Sequence, residues 1–251
     1  MKRESYVALT TLFAGIIMTS ASADITYTTL TVGPETSGWY NQAGLTSTVD
    51  GGYFGQNSLA ASGSGKNQLY FDSDTLFGSS DLTIGDIASI EYSTLKSSGG
   101  SSPDWFVQIY TAPYAGSPGS NWYGNRIQAE PYLASNVEAP ADQWNDWTTD
   151  SGTNSLNWGD SSEGGFGAGI GSWSDLQSTS VSGGSGTYGE AAVLFFTFGT
   201  GSGWADGFTG QISPITVNFT NGTGTIVNFV PAPSALAGIL GLGLAVRRRR
   251  S

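Results

Sequence analysis

Glycine and serine punctuate the whole stretch between residues 24 and 229, where they separate short runs of β-branched and aromatic residues. The chain of 251 residues contains 37 glycines, spread along it rather than collected in one linker. Short apolar runs that alternate with turn residues are typical of β structure, because each strand needs few residues and ends at a turn. The pattern predicts an all-β chain, with no sustained helical periodicity between its two termini.

The apolar runs define the predicted strands. They cover Ile25–Val32, Gln68–Phe71, Ile87–Leu95, Trp105–Thr111, Arg126–Tyr132, Trp144–Thr149, Ala191–Phe198, Gly207–Phe219 and Thr225–Phe229. The run Ala191–Phe198 is almost continuously apolar, which predicts a central strand covered on both faces. We expect a two-sheet antiparallel sandwich, most simply a jelly roll, with a barrel as the alternative. The stretch from Ser151 to Gly186 is expected to form a long loop.

Composition excludes several kinds of chemistry. The chain has no cysteine and no histidine, which rules out disulfides, metal sites built on those residues and a histidine general base. Residues 24–246 contain 19 acidic residues and only three basic ones, Lys66, Lys96 and Arg126, which gives a net charge of −16. Such a field repels nucleic acid and anionic lipid, so neither is expected as a partner.

The N-terminus has the organisation of a secretory signal peptide. Lys2 and Arg3 are followed by an apolar run from Tyr6 to Met18 and by small residues at Ala21-Ser22-Ala23. The run is shorter than the roughly 20 residues of a membrane span. We therefore expect residues 1–23 to be removed, with cleavage before Asp24, and the protein to be exported.

The C-terminus joins three features in a fixed order. A short motif, Pro231, Ala232 and Pro233, precedes an apolar run from Ala235 to Val246, and the basic cluster Arg247, Arg248, Arg249 and Arg250 follows. A helix of 18 residues would reach about 27 Å, enough to cross a thin membrane core. The arginines would remain on the cytoplasmic side.

This arrangement over residues 230–251 resembles the C-terminal sorting signal of PEP-CTERM proteins. The resemblance implies a bacterial protein that is inserted transiently in the inner membrane through this helix, processed by an exosortase-type enzyme, and released to the cell surface or extracellular matrix. Ala232 stands where the family usually has glutamate, which puts cleavage, more than insertion, in doubt. A plain C-terminal tail anchor is the alternative.

Four phrases in the body carry a second resemblance. They are residues 84–90 (IGDIASI), 104–111 (DWFVQIYT), 122–132 (WYGNRIQAEPY) and 207–212 (GFTGQI). Together they resemble a domain of exported bacterial surface proteins, often with PEP-CTERM tails, which implies a lectin-like or laminin-G-like sandwich over residues 24–229. That domain has no established activity. Ser213-Pro214 stand where related phrases commonly have aspartate, which changes the local turn.

Aromatic and polar side chains that lie close together are the candidates for binding a carbohydrate, since aromatic rings offer a flat apolar face and carboxylates accept hydroxyl protons. The candidate ligand-binding residues are Trp122, Tyr123, Arg126, Glu130, Trp144 and Trp147. Arg126 could instead pair with Glu130. Asp142, Asp146 and Asp150 can share one strand face, but Trp144 and Trp147 would then point to opposite faces.

Other tryptophans lie beside glycines in loop-like contexts and are further candidates for a carbohydrate platform. They are Trp39, Trp158, Trp173 and Trp204. Some of these rings are expected instead to cap the ends of the sandwich.

Oxygen-rich loops make calcium the natural metal for this chain. The candidate ligands are Asp72, Asp74 and Asp81, and a second group comprises Asn157, Asp160 and Glu163. Neither group fits the EF-hand pattern, and solvated turn aspartates are the alternative interpretation. No cofactor is expected to be required.

The sequence therefore predicts an exported, non-catalytic protein that binds extracellular polysaccharide or matrix. A structural or adhesive envelope protein is the first alternative. A carboxylate-based glycan hydrolase is the less favoured one, because the Glu-x-Asp-x-x-Glu strand of laminarinase-type enzymes is absent.

Overall fold

A computed structural model describes eleven segments of the chain. They comprise residues 24–33, 39–41, 47–62, 66–97, 104–113, 125–131, 140–150, 154–162, 169–181, 184–201 and 208–230. Within them the chain is mainly β, and its strands form two sheets arranged as a sandwich. The predicted all-β, two-sheet class is therefore confirmed.

The strands of the first half of the chain are β1 (Thr26–Val32), β2 (Trp39–Asn41), β3 (Ser47–Tyr53), β4 (Gln56–Ser62), β5 (Asn67–Asp72), β6 (Ile87–Lys96) and β7 (Phe106–Thr111). Those of the second half are β8 (Arg126–Ala129), β9 (Trp144–Thr148), β10 (Trp158–Asp160), β11 (Gly169–Gly171), β12 (Val193–Thr200), β13 (Thr209–Ile212), β14 (Ile215–Phe219) and β15 (Thr223–Phe229). The described residues also form two short helices, α1 (Ser73–Phe77) and α2 (Trp173–Ser178), and 3-10 turns at Ile84–Asp86 and Tyr188–Glu190.

The two sheets differ in strand order. Sheet I has the order β1-β15-β14-β6-β13-β4-β3, and β9 pairs with the other edge of β6. Sheet II has the order β11-β10-β8-β7-β12-β5-β2. Neighbouring strands in these orders are antiparallel except β1, which lies parallel to β15 in register Thr26↔Thr223 to Val32↔Phe229. The first and last described strands are therefore side by side.

The core lies between the sheets and is built by alternating residues of each strand. Sheet I contributes Ile90, Tyr92, Ile212, Val217 and Val227, and sheet II contributes Leu69, Val107, Ile109, Phe196 and Phe198, all of them buried. Tyr92 meets Phe198 edge to face across the interface, with ring centroids 5.7 Å apart. The partly alternating pattern of β6 is explained by this arrangement, because its other face points away from sheet II.

The nearly continuous apolar run Ala191–Phe198 lies in the middle of sheet II, as its composition predicts. It forms most of β12, which pairs with β7 on one side and β5 on the other. The structure thus confirms a central strand.

One predicted strand is divided in two. The sequence predicts a single strand over residues 207–219, but β13 and β14 are separated by Ser213 and Pro214, along one edge of β6. Pro214 has no N–H group to donate to the ladder. Ser213 Oγ accepts a hydrogen bond from the Ser93 N–H over 2.7 Å, and the Ser213 N–H donates to the Ser93 carbonyl over 2.9 Å.

This break opens a fork in sheet I. Beyond it, β13 pairs with β4, whereas β14 pairs with β15. The branches approach each other again where Asn57 Nδ2 of β4 donates to the Phe229 carbonyl of β15 over 3.2 Å. The fork is the structural origin of the groove described below.

The predicted long loop also proved to be structured in part. Within Ser151–Gly186 lie β10, β11 and α2. Ser172 caps α2 and forms a capping box with Asp175, so this helix depends on its cap rather than on an extended amphipathic pattern. A single turn and a half leaves too few residues for helical periodicity to show in the sequence.

The described residues contain no helix that is long and apolar enough to cross a membrane. The predicted signal peptide (1–23) and the predicted sorting segment from Pro231 to Ser251, including Arg247 to Arg250, lie outside the described residues. Both remain predictions.

Candidate functional site

The outer face of sheet I carries a groove of about 830 Å³ in the fork between the two branches. Its floor comes from β6, β9, β14 and β15, and its wall comes from the β3–β4 hairpin. The described lining residues are Tyr53, Gln56, Glu91, Tyr92, Ser93, Asp146, Trp147, Thr148, Asp150, Asn154, Ser213, Pro214, Thr216, Ile226 and Asn228. The side chains that alternate outward along these strands are mostly polar, whereas their neighbours point into the core.

Aromatic rings form one rim of the groove. Tyr53 meets Trp144 at 5.1 Å and Phe54 at 4.6 Å between ring centroids, both close to edge-to-face. Phe54 lies at the tip of the β3–β4 hairpin with 86% of its surface exposed. Phe54 and Gly55 both have positive φ, 44° and 80°, as a tight hairpin turn requires. This turn geometry holds the ring in solvent beside the groove.

Asp146 ties this hairpin to the floor. Its Oδ1 accepts hydrogen bonds from the Tyr53 hydroxyl and from Ser93 Oγ, each over 2.5 Å. Burial, followed by the hydrogen bond to Asp146, raises the pKa of Tyr53. The tyrosine therefore stays a hydrogen-bond donor at neutral pH, and the aromatic rim is fixed relative to the carboxylate.

Glu91 is the second carboxylate of the floor. Its Oε1 accepts hydrogen bonds from Ser89 Oγ over 3.1 Å and from Asn218 Nδ2 over 3.2 Å. In the β6–β9 pair, Glu91 lies opposite Thr148 and Asp146 lies opposite Ser93. The two acids are therefore diagonal neighbours on one face, with roughly 7–8 Å between their backbones.

The charge of the groove has one sign. Glu91, Asp146 and Asp150 line it, and none of the described lining residues is lysine or arginine. A surface of this kind repels anions and leaves carboxylate and amide oxygens to accept hydrogen bonds. The groove is therefore suited to a molecule that donates hydrogen bonds and carries no negative charge.

The structure separates the two predicted tryptophans of β9. Trp144 is half-buried on the outer face, beside Asp146 and Tyr53. Trp147 is only 2% exposed, and its Nε1 donates inward to Thr94 Oγ1 over 2.8 Å. Only Trp144 can therefore offer its ring to a ligand, as the alternation of a strand requires.

Behind Trp147 lies a buried acid. Asp104 is fully buried, and its carboxylate accepts hydrogen bonds from Thr94 Oγ1 over 2.6 Å and from the Trp105 N–H over 2.8 Å. Burial raises the pKa of Asp104 to about 6, although these two hydrogen bonds and the charge of Lys96 act in the opposite direction. Asp104 thus belongs to the core beneath the groove, not to its surface.

This acid makes stability depend on pH. Because the folded pKa lies above the ordinary value of 3.8, the folded protein binds more protons than the unfolded chain between about pH 4 and 6. The raised pKa of Asp104 therefore contributes to the stability of the folded protein below about pH 4, and this contribution is lost as the pH rises to about 6. We expect wild type to gain on the order of 2 kcal/mol relative to Asp104→Asn between pH 7 and pH 4.

Urea unfolding at several pH values measures this difference. Asp74→Asn, at an exposed position, is the matched control and should track the wild type. A difference between wild type and Asp104→Asn that stays constant from pH 7 to pH 4 would contradict the assignment.

Arg126 and Glu130 lie on the other sheet. Arg126 is 8% exposed, and its Nε donates to the Ser161 carbonyl over 2.8 Å. Glu130 accepts a hydrogen bond from Gln128 Nε2. Arg126 lies on the face of sheet II that points away from sheet I, and Glu130 follows the end of β8, so the structure does not bring them together with Trp144. The other two predicted binding residues, Trp122 and Tyr123, lie outside the described residues.

A line of glutamines crosses this outer face of sheet II. Gln68 Nε2 donates to Gln108 Oε1 over 3.1 Å, and Gln108 Nε2 donates in turn to Gln128. Tyr110 also donates to Gln108, over 3.1 Å. All three glutamines are buried, so this network is a satisfied internal layer rather than an open site.

The predicted calcium ligands have local roles. Asp72 caps α1 by accepting the Thr75 N–H at Oδ1 over 2.7 Å, and Asp74 lies in the first turn of that helix. The Asp81 N–H donates to Ser79 Oγ over 3.1 Å. In the part of the chain that the structure describes, no group of three or more acidic residues is placed to hold a metal ion. A calcium site stays a prediction.

Two other tryptophans have core positions instead of loop positions. Trp158 and Trp173 are both buried, with ring centroids 4.7 Å apart, and Trp173 Nε1 donates to the Ile87 carbonyl over 3.1 Å. They contribute to packing at one end of the sandwich and are not available as a carbohydrate platform.

Sequence reasoning missed most of the groove. Tyr53, Gln56, Glu91 and Asn228 come from four strands, and two of these, β3 and β4, were not predicted. The β3–β4 hairpin could have been predicted from the run Gly51-Gly52-Tyr53-Phe54-Gly55, in which two aromatic residues lie between glycines suited to a tight turn. The partnership with Asp146, 93 residues later, leaves no local signal.

No protein-family model, curated protein or solved structure matches this chain.

Proposed function

We propose that this protein binds an extracellular polysaccharide in the groove of sheet I without cleaving it. The observation that carries the proposal is the aromatic rim of Tyr53, Phe54 and Trp144 fixed beside Asp146 at the edge of a polar groove. A sugar ring offers an apolar face to aromatic side chains and hydroxyl donors to carboxylates, so one ligand satisfies both features.

Binding is favoured over hydrolysis by the way the carboxylates are held. Asp146 Oδ1 already accepts two hydrogen bonds, and Glu91 Oε1 accepts two more. The catalytic strand pattern of laminarinase-type enzymes is absent from the sequence. Carboxylates fixed by neighbours in this way suit the recognition of hydroxyl groups.

The proposed fold detail is a jelly roll of the lectin or laminin-G type. It is supported by the path of the chain, which passes from β4 in sheet I to β5 in sheet II, then to β6 and back to β7. The adjacency of β1 and β15 gives further support, because it brings the two ends of the domain together.

We also propose that the protein acts outside the cell. The signal peptide, the Pro231-Ala232-Pro233 motif and the terminal arginines support export and sorting by an exosortase-type enzyme. A protein at the cell surface meets polysaccharide in the matrix, which fits the proposed ligand class.

A glycan array with the purified protein tests the proposal, once with calcium and once with EDTA. We expect selective binding to uncharged glycans, and retention in EDTA would show that calcium is not needed. Absence of binding to any neutral, amine-bearing or anionic glycan would overturn the proposal. Self-association without glycan binding would favour a structural role, and release of reducing ends would favour a hydrolase.

A further inference from the structure

A second cavity continues the groove towards the edge of sheet I. It has a volume of about 390 Å³ and is lined by Thr31, Gly55, Gln56, Asn57, Asn228 and Phe229. Gln56 and Asn228 line both cavities. The hydrogen bond from Asn57 to the Phe229 carbonyl joins the branches of the fork beside it. The two cavities are therefore parts of one depression.

This depression crosses five adjacent strands, β9, β6, β14, β15 and β1. Four spacings between neighbouring strands amount to about 19 Å, at about 4.8 Å each. One strand spacing is close to the length of one pyranose unit in an extended glycan. The depression therefore has room for about four units, laid across the strands.

Exposed side chains lie at both ends of the depression. At one end Asp150 is exposed just after β9, beside Asn154, whose segment is hydrogen-bonded to Thr148 at the outer edge of β9. At the other end Thr31 is exposed on β1, which pairs with β15 alone among the described strands. A ligand that enters at one end of the depression can leave at the other, so neither end of the ligand needs to lie in the site. The acidic lining discriminates against uronic acids and sulfated sugars.

We propose that the two cavities form one open cleft that binds an internal segment of an uncharged, linear β-linked polysaccharide. This inference rests on the proposed function and specifies its substrate class. Recognition uses consecutive sugar units: Trp144 and Tyr53 at the β9 end, Glu91 and Asn228 along the floor, and Thr31 at the β1 end. Affinity therefore depends on chain length.

Isothermal titration with defined oligosaccharides tests this length dependence. The probes are β-1,3-linked glucose, β-1,4-linked glucose and β-1,4-linked N-acetylglucosamine, each as the dimer, tetramer and hexamer. In at least one series, we expect affinity to rise tenfold or more from dimer to tetramer and less than threefold from tetramer to hexamer. Blocking the reducing end of the hexamer should leave its affinity unchanged.

A matched pair of variants locates the distal end of the cleft. Thr31→Arg places a long side chain in the second cavity, whereas Thr28→Arg makes the same charge change on the opposite face of β1. Thr31→Arg should lower hexamer affinity tenfold or more and leave dimer affinity unchanged. Thr28→Arg should bind the hexamer like the wild type. Both positions are exposed, so both variants should fold.

The outcomes separate the two claims. Equal affinity for dimer and hexamer, or loss of hexamer binding on blocking its end, would overturn the cleft while the proposed function stands. Equal loss in both arginine variants would also overturn the placement of the cleft. Failure of all three series to bind would overturn the assigned substrate class, whereas the proposed function itself would be contradicted only if the glycan array also showed no binding.

Discussion

Trp144→Ala should lower polysaccharide affinity about 30-fold, which corresponds to about 2 kcal/mol for the loss of an aromatic anchor. The ring is half-buried and supports Tyr53, whose hydroxyl is bonded to Asp146, so the substitution removes a contact surface and loosens the rim. Thermal stability should fall by only a few degrees, because the side chain already faces solvent on one side. Titration with the tightest-binding oligosaccharide measures the effect.

Tyr27→Ala is the control for this variant. Tyr27 is a 45% exposed aromatic residue on β1 of the same sheet, and its ring lies over Gly224, whereas the Trp144 ring contacts Tyr53 of the groove lining. Its removal should leave affinity within twofold of wild type. Equal losses in Trp144→Ala and Tyr27→Ala would contradict a specific role for the aromatic rim.

Trp147→Ala should destabilise the protein by about 3–5 kcal/mol, a large part of the 5–15 kcal/mol that a domain typically has. The side chain is 2% exposed in the core, and its removal leaves a cavity beneath β9. It also removes the donor to Thr94 Oγ1, which itself donates to the buried Asp104. Chemical denaturation followed by circular dichroism measures the loss.

Trp147→Phe is the conservative variant at this position. It keeps a six-membered aromatic ring but removes the Nε1 donor together with the rest of the indole, so the expected loss is about 2–3 kcal/mol, smaller than that of Trp147→Ala. At a temperature where this variant is folded, it should bind glycan like the wild type. If it is as stable as wild type but has lost glycan binding, then the assignment of Trp147 to the core is wrong.

Trp144 and Trp147 show which features of the site can be predicted from the sequence and which cannot. The spacing of Trp144 and Trp147 on a strand already predicted opposite faces. It could not show which face is the core, because both residues are large and apolar and their neighbours are polar on each side. Sheet II decides the matter by covering the face of β6 and β9 that carries Tyr92 and Trp147.

The sequence by itself determined the β class and the placement of most strands, because these depend on local runs of apolar residues and on the turns between them. The strand predicted over residues 207–219 runs through Pro214, so the break there was missed, although a residue without an N–H group cannot continue a ladder. The tertiary structure alone decided that this break opens a fork, and that Tyr53, Glu91, Asp146 and Asn228 line it. Such a site joins residues up to 175 positions apart. Their meeting depends on strand pairing and register, which are set by the global packing of two sheets.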